Sequence, residues 1–283
     1  MSVRNILFSV IILAGFALSA AAASPEVPHS MEFAGEKIYF DTEDMYERMD
    51  RELLTFTYMH TTSTLMLKRA GIYFPVVEPI LKEMGVPDDL KYLMVIESNL
   101  NPEALSTAGA AGLWQFMAAT AKQYGLEVNT NVDERYNVEL ATRAACRHLL
   151  SVYEHFGSWM SVAAAYNGGM AGLDKKMSSQ KQGSVFDLLM VEETSRYMFR
   201  ILAAKMLFND PKSFGFDISP AEMYRAPQKK ETAIVTSPIA SLVDYAIEKG
   251  TTYRALKKAN LWLREDKLNN SSGKTYYIII PGN

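Results

Sequence analysis

The feature that most constrains this chain is a helical spacing of apolar residues that runs from Thr42 to about Asn209. Apolar side chains recur at intervals of three and four, turn residues separate the segments, and no strand-like alternation interrupts them. We therefore predict an all-α domain with helices near 42–68, 73–84, 87–98, 119–124, 138–156, 159–166, 170–177 and 193–209.

The chain changes character after Pro211. Phe-Gly-Phe and Ser-Pro turn signals follow within 214–220, and the remainder favours the order strand, helix, helix, strand. The predicted fold class is mainly α, with a helical domain followed by a small α+β unit. The predicted parts are an N-terminal arm and helix with a loose start (24–64), a helical domain (65–212), a linker (213–228) and the α+β unit (229–283).

The first 23 residues have the composition of a secretory signal. Arg4 precedes an apolar run from Ile6 to Leu18, and small residues follow up to Ala23. This run is shorter than the roughly 20 residues that span a membrane comfortably. We expect an exported protein of the periplasm or cell envelope, cleaved near Ala22 or Ala23, with an uncleaved signal anchor and membrane association as the alternative.

Charge and residue types exclude several classes of function. A formal net charge of −3 argues against a nucleic-acid binder held by bulk charge. The single cysteine, Cys146, excludes an internal disulfide and a cysteine-based zinc site. His148 and His155 lie too far apart on one predicted helix for an i, i+4 metal pair, and no phosphate-loop or dinucleotide fingerprint is present. We predict no cofactor and no metal.

Glu97 lies where its surroundings are expected to raise the pKa of a carboxyl group. It falls in the last turn of the predicted helix 87–98, on the apolar stripe that contains Leu93 and Met94. Burial and the negative end of the helix dipole both disfavour the carboxylate and so raise its pKa. Such a group suits a general acid for glycosidic cleavage. The alternative is a structural glutamate that reaches solvent or pairs with a basic side chain.

The segment 106–117 contains small residues followed by bulky ones. Gly109 and Gly112 permit a close approach of the backbone to a ligand or to another part of the chain. Trp114 and Gln115 offer a stacking face and an amide, a pairing that suits sugars. The alternative is a tight helix connection with Trp114 in the core.

The segment 159–169 predicts a closely packed helix that ends at a pair of glycines. Three alanines precede Tyr166 and Asn167, and Gly168 and Gly169 then stop the helix. A buried tyrosine hydroxyl needs a partner, for which Glu97 is one possibility. Alone, the Asn-Gly-Gly sequence indicates only a helix end.

Taken in order, the ES, GLWQ and AYNGG segments resemble the lytic transglycosylases of the goose-lysozyme-like superfamily, the family 23 glycoside hydrolases, and within them the membrane-bound D type. The longer stretches ESNLNPEALSTAGAAGLWQFM, VDERYN and EETSRYMFRILAAK extend the resemblance over roughly 65–210. The resemblance implies a lysozyme-like helical domain that acts on peptidoglycan glycan strands.

The resemblance also implies roles for individual residues. Glu97 matches the single catalytic acid/base, and Ser98 matches a neighbour that helps to order the site. The remaining matches are expected to contact the glycan: Gly112, Leu113, Trp114, Gln115, Tyr166, Asn167, Glu193 and Tyr197. Among these, Tyr166 is expected to hydrogen-bond near the catalytic carboxyl, and Glu193 and Tyr197 to line the cleft.

The implied reaction cleaves the β-1,4 bond between N-acetylmuramic acid and N-acetylglucosamine, and the muramoyl C6 hydroxyl attacks C1 to leave a 1,6-anhydro end. No second acid belongs to the three motifs, although Glu103, Asp133 and Glu134 lie nearby in the sequence. The alternatives are a muramidase that uses water with the same acid, and a non-catalytic wall-binding protein.

Residues 229–283 weakly resemble a LysM module. The resemblance rests on the order of elements, on the segment KKANLWL and on the terminal YYIIIP, whereas the usual Gly-Asp-Thr-Leu start is missing. The unit is therefore expected either to bind glycan or to dock on the helical domain and cover it.

Overall fold

The computed structural model describes residues 24–282, so the predicted signal segment 1–23 lies outside the described residues. In the described part the helices are α1 (Glu43–Tyr58), α2 (His60–Glu83), α3 (Lys91–Ser98), α4 (Ala118–Gln123), α5 (Val138–Phe156), α6 (Trp159–Gly168), α7 (Met170–Gln180), α8 (Glu192–Asn209), α9 (Leu242–Glu248) and α10 (Tyr253–Ala259). None of these helices is long and apolar enough to span a membrane.

The described residues also contain four short strands. They are β1 (Ser30–Phe33), β2 (Glu36–Tyr39), β3 (Lys229–Val235) and β4 (Tyr276–Pro281). β1 pairs antiparallel with β2, and β3 pairs antiparallel with β4. The predicted class, mainly α with a small α+β unit at the C-terminus, is confirmed.

The N-terminal arm is not loose, as the sequence suggested, but a docked β-hairpin. Ala34 and Gly35 turn the chain with left-handed φ angles of 52° and 84°. Phe33 and Ile38 are buried in the main core. The carboxylate of Glu36 accepts hydrogen bonds from the Ser158 hydroxyl and from backbone N–H groups in the first turn of α6. The hairpin thus stabilises the positive end of that helix.

The first long helix breaks at a different place from the one predicted. The chain leaves helical geometry at Met59, and α2 then continues through the predicted gap near Gly71 and past two internal prolines. Gly71 serves a close approach rather than a helix end, because a Cβ atom there would lie 2.6 Å from the carbonyl oxygen of Tyr224. The predicted linker is therefore packed on α2, where the Tyr224 N–H donates to Lys68 O at 2.9 Å.

Two hydrophobic clusters organise the described residues. The larger cluster lies among α1, α2, α3, α5, α6 and α8 and includes the hairpin. The smaller one lies between the β3–β4 sheet and the helices α9 and α10. β4 alternates buried and exposed side chains, so one face of its sheet covers this second core. The smaller cluster also contains Ala111, Val132 and Tyr136 of the helical domain.

Candidate active site

The carboxyl group of Glu97 is presented by an otherwise buried helix. A 3₁₀ turn at Asp88–Leu90 leads into α3, in which every residue except Glu97 is buried. The helix ends one residue later, at Asn99 and Leu100, which both have left-handed φ angles near 50°. Glu97 is therefore the one position of α3 that opens toward solvent, and it lies at the negative end of the helix.

The pKa of Glu97 is raised from 4.5 to about 7, chiefly because burial disfavours the carboxylate. Three smaller effects follow: a hydrogen bond from Tyr197 lowers the pKa, the charge of Arg200 lowers it, and the charge of Glu193 raises it. The Tyr197 hydroxyl donates to Glu97 Oε1 at 2.7 Å. Near neutral pH the group is therefore present in both the acid and the base form.

One face of α8 lies beside the Glu97 carboxyl group. Glu193, Tyr197 and Arg200 follow one another at i, i+4 and i+7, so they share that face. Tyr197 is buried, and its own pKa is raised well above the usual value by burial and by the nearby Glu97 charge. Glu193 is exposed at the first turn of the helix. The motif analysis missed Arg200, although its spacing from Tyr197 could have identified it.

The GLWQ segment (112–115) is mostly buried. Gly112 has a φ angle of 77°, and a Cβ atom there would lie only 2.0 Å from the Arg135 carbonyl oxygen, so only glycine fits. Leu113 and Trp114 are buried. The Trp114 indole donates from Nε1 to Thr142 Oγ1 at 3.0 Å. Trp114 thus belongs to the core and does not provide the stacking face that the sequence suggested.

Two further polar residues of the motifs bind the backbone. The Gln115 amide donates from Nε2 to the carbonyl oxygens of Gly112, at 2.8 Å, and Ala104, at 3.2 Å. Ser98 donates from Oγ to Met94 O at 3.0 Å, one turn earlier in α3. Both side chains therefore fix the segments that surround Glu97.

The hydroxyl group of Tyr166 does not bind the carboxyl group, contrary to the possibility raised from the sequence. It donates instead to the carbonyl oxygen of Trp114 at 2.6 Å. Burial, and after it the charge of Glu97, raise the pKa of Tyr166 well above the usual value. Asn167 Oδ1 accepts a hydrogen bond from Thr194 Oγ1 at 2.8 Å. The tyrosine that bonds to Glu97 is Tyr197.

The acids that the sequence left open as a second carboxyl group are engaged elsewhere. Glu103 pairs with Lys258 at 2.6 Å, and Asp133 pairs with Arg135 at 2.7 Å. Glu134 accepts from the Glu127 N–H at 2.6 Å. Within residues 24–282, no group of three His, Cys, Asp or Glu side chains is arranged to hold a metal ion.

Two family models match the chain. Residues 76–187 match the model "Transglycosylase SLT domain", and residues 231–283 match the model "Soluble lytic transglycosylase C-terminal LysM-like domain". Glu97, the GLWQ segment, Tyr166 and Asn167 fall inside the first match, whereas α1 and α8 lie outside it.

Several known proteins are similar to the chain. Membrane-bound lytic murein transglycosylase D of Escherichia coli is 27% identical over 83% of this chain and 51% of its own length. Peptidoglycan transglycosylase gp16 of Escherichia phage T7 is 35% identical over 41% of this chain and 9% of its own. The crystal structure of the 70 kDa soluble lytic transglycosylase of Escherichia coli aligns with a TM-score of 0.45 at 17% identity, covering 62% of this chain and 33% of that one.

The chain thus spans about half the length of the Escherichia coli relative that it matches. The first match lies in the helical domain and the second in the C-terminal α+β unit. The chain therefore contains a region that matches an SLT transglycosylase domain, followed by a region that matches a LysM-like C-terminal domain.

Proposed function

We propose that this chain is a peptidoglycan lytic transglycosylase in which Glu97 acts first as general acid and then as general base. The observation that carries the proposal is the Glu97 carboxyl group, partly buried at the end of α3, with a pKa of about 7 and a hydrogen bond from Tyr197. A group that is half protonated near neutral pH can donate and later accept a proton without a large change in its surroundings.

The proposed reaction begins with proton transfer from Glu97 to the oxygen that leaves the muramoyl C1 atom. As that bond breaks, positive charge develops on the muramoyl ring, and the Glu97 carboxylate left behind stabilises it. The C6 hydroxyl of the same sugar then attacks C1, and Glu97 takes its proton. The glycan is cut, a 1,6-anhydro end forms, and no water is consumed.

The proposed acid/base is a single residue, which suits an intramolecular nucleophile. Enzymes that use water or a covalent intermediate place two carboxyl groups on either side of the bond. Here Glu103, Asp133 and Glu134 are held in other contacts, as described above. Glu193, whose charge raises the pKa of Glu97, is exposed at the first turn of α8.

The other motif residues are proposed to shape the glycan site. Gly112, Leu113, Trp114 and Ser98 contribute through the backbone that they fix, because their side chains are absent or buried. Gln115, Asn167 and Glu193 are exposed or partly exposed polar residues and are proposed to contact sugars. The site is proposed to need no metal and no cofactor.

The proposed location is the cell envelope, where peptidoglycan is found. The expected export signal at 1–23 and the name of the relative, a membrane-bound murein transglycosylase, support this location. Peptidoglycan glycan strands are the proposed substrate.

The test is product analysis by mass spectrometry, with residues 24–283 acting on purified sacculi. The anhydro product is lighter by one water than the product of a muramidase, so the mass separates the two reactions. Glu97→Gln keeps the shape of the side chain but cannot give up a proton, and cleavage should fall on the order of 10³-fold. Wild-type cleavage by this variant, or a hydrated product, contradicts the proposal.

A further inference from the structure

The C-terminal unit and the helical domain share a hydrophobic core. Ala111, Val132 and Tyr136 of the helical domain are buried in the smaller cluster, among C-terminal residues such as Leu256 and Trp262. Ala111 directly precedes Gly112 in the GLWQ segment. One side of that segment is therefore buried by the C-terminal unit, and the next residues, Leu113 and Trp114, are buried in the larger core.

Asn131 connects the two parts through its side chain. It is only 6% exposed. Its Oδ1 atom accepts from the Asn269 N–H at 2.9 Å, and its Nδ2 atom donates to Lys267 O at 2.8 Å. Its own carbonyl oxygen accepts from the Arg264 N–H at 2.9 Å. A buried amide with partners on both of its polar atoms fixes the position of its backbone.

The connection continues along the chain from Asn131 to Arg135. The Asp133 N–H donates to Trp262 O at 2.9 Å, and the Asp133 carboxylate binds the Arg135 guanidinium through both oxygens. Arg135 Nη1 then donates to Gly109 O at 2.8 Å and to Phe116 O at 2.9 Å. These two carbonyl groups lie at the two ends of the segment 109–116, so one guanidinium closes that loop.

The loop is bonded directly to the motif residue Tyr166. Its Trp114 carbonyl oxygen accepts from the Tyr166 hydroxyl at 2.6 Å. A continuous series of hydrogen bonds therefore runs from the C-terminal unit through Asp133, Arg135 and the 109–116 loop to Tyr166.

We propose that the LysM-like unit is a positioning element of the active site, which holds the 109–116 loop in place through Asn131, Asp133 and Arg135. This inference rests on the proposed function for its effect on turnover, and it is separate from any binding of glycan by the unit. It assigns Asn131 and Arg135 as positioning residues, neither of which belongs to the three sequence motifs.

Two variants of residues 24–283 test the inference. Asn131→Ala removes the buried amide between the two parts, and Arg135→Lys keeps the charge opposite Asp133 but loses the fork that spans both loop carbonyl groups. Lys258→Ala is the control, because it breaks the exposed ion pair with Glu103 between the same two parts without touching the connection.

The first measurement is hydrogen exchange of the loop amides. In the wild type, the N–H groups of Ala111, Gly112 and Gln115 donate to backbone oxygens and are expected to be protected. Both test variants should lose protection over 109–116 and keep it in α3 and α8, whereas the control should match the wild type. Unchanged loop protection overturns the inference, and so does a loss that extends equally through α3 and α8.

The second measurement is turnover of short soluble glycan fragments, together with cosedimentation of each variant with sacculi. A displaced loop disturbs the alignment of substrate with Glu97, so kcat should fall at least about tenfold while KM and cosedimentation stay within about twofold. A kcat within about twofold of the wild type overturns the inference. Should the wild type cleave no glycan, the proposed function fails, and the exchange measurement alone decides the inference.

Discussion

Glu52 and Glu97 are two glutamates with opposite surroundings. Glu52, on α1, is fully buried, and its two carboxylate oxygens accept from Arg196 Nε at 2.7 Å and Arg196 Nη2 at 3.2 Å. Arg51 adds a third contact at 3.2 Å. Glu97 is partly exposed, and its side-chain contact is the neutral hydroxyl of Tyr197.

The partners of the two carboxyl groups differ in charge. Two arginines compensate the charge of Glu52, so it serves as a structural ion pair. Glu97 has one neutral donor, so burial dominates and raises its pKa to about 7. Consecutive residues of α8, Arg196 and Tyr197, supply the two different partners. α8 thus supplies both the arginine that pairs with Glu52 and the tyrosine that donates to the Glu97 carboxyl group.

The largest effect that separates the two glutamates is on stability. Glu52→Ala leaves Arg196 without its buried partner, and the free energy of unfolding should fall by about 4 kcal/mol. The activity per folded molecule and its pH dependence should stay unchanged. Urea denaturation and pH–rate profiles test both points.

The matched control for this prediction is Glu192→Ala. Glu192 also pairs with Arg51, at 3.4 Å, but its side chain is 74% exposed. Its removal should therefore cost less than about 1 kcal/mol. A change in the pH midpoint of activity in Glu52→Ala contradicts the assignment of Glu52 as purely structural.

Glu97→Gln should have the opposite effect on stability. The pKa of Glu97 is about 7 in the folded protein and 4.5 in its unperturbed state. As the pH rises from 4.5 to about 7, the unfolded chain loses this proton first, so the wild type loses stability over that window and then levels off. Glutamine cannot ionise, so the variant should be more stable than the wild type by up to about 3 kcal/mol above neutral pH.

The measurement is the free energy of unfolding of both proteins from acid to alkaline pH. The two curves should meet at the acid end and separate through the window, because every other titrating group is common to both. Parallel curves mean that Glu97 is ionised normally in the folded protein.

The sequence identifies these residues to different degrees, for physical reasons. Glu97 could be found because a carboxyl group on an apolar stripe at a helix C-terminus is visible in a local pattern. The burial of Trp114 and the partner of Tyr166 depend on contacts between distant segments, which spacing does not fix. The surroundings of Glu52 likewise depend on Arg196, more than a hundred residues away.

The same limit applies to the fold. Several helices were predicted nearly to their ends, for example 138–156 for α5 (Val138–Phe156), whereas the break between α1 and α2 was predicted at the wrong place. The hairpin of β1 and β2 was missed because strands of four residues give too little alternation to recognise. The contacts between the LysM-like unit and the 109–116 loop join residues more than a hundred positions apart, so only the structure shows them.

Tyr197→Phe sharpens the comparison by removing the hydrogen bond that the Tyr197 hydroxyl donates to the Glu97 carboxyl group. This bond lowers the pKa of Glu97, so its loss should raise that pKa. A general acid must be protonated in the free enzyme, so the alkaline limb of kcat/KM should move to higher pH. Tyr166→Phe is the control and should leave the limb in place, since Tyr166 binds the Trp114 carbonyl group. A limb that stays fixed in Tyr197→Phe contradicts this account.

The smallest expected effects come from the two charges on α8, and they have opposite signs. The Arg200 charge lowers the pKa of Glu97 and the Glu193 charge raises it. Arg200→Gln should therefore move the alkaline limb of kcat/KM upward, and Glu193→Gln should move it downward by less. Because both effects act through charge alone, added salt should reduce them, whereas the effect of Tyr197→Phe should persist. Shifts in the same direction for both variants would show that they act through structure rather than through the charge at Glu97.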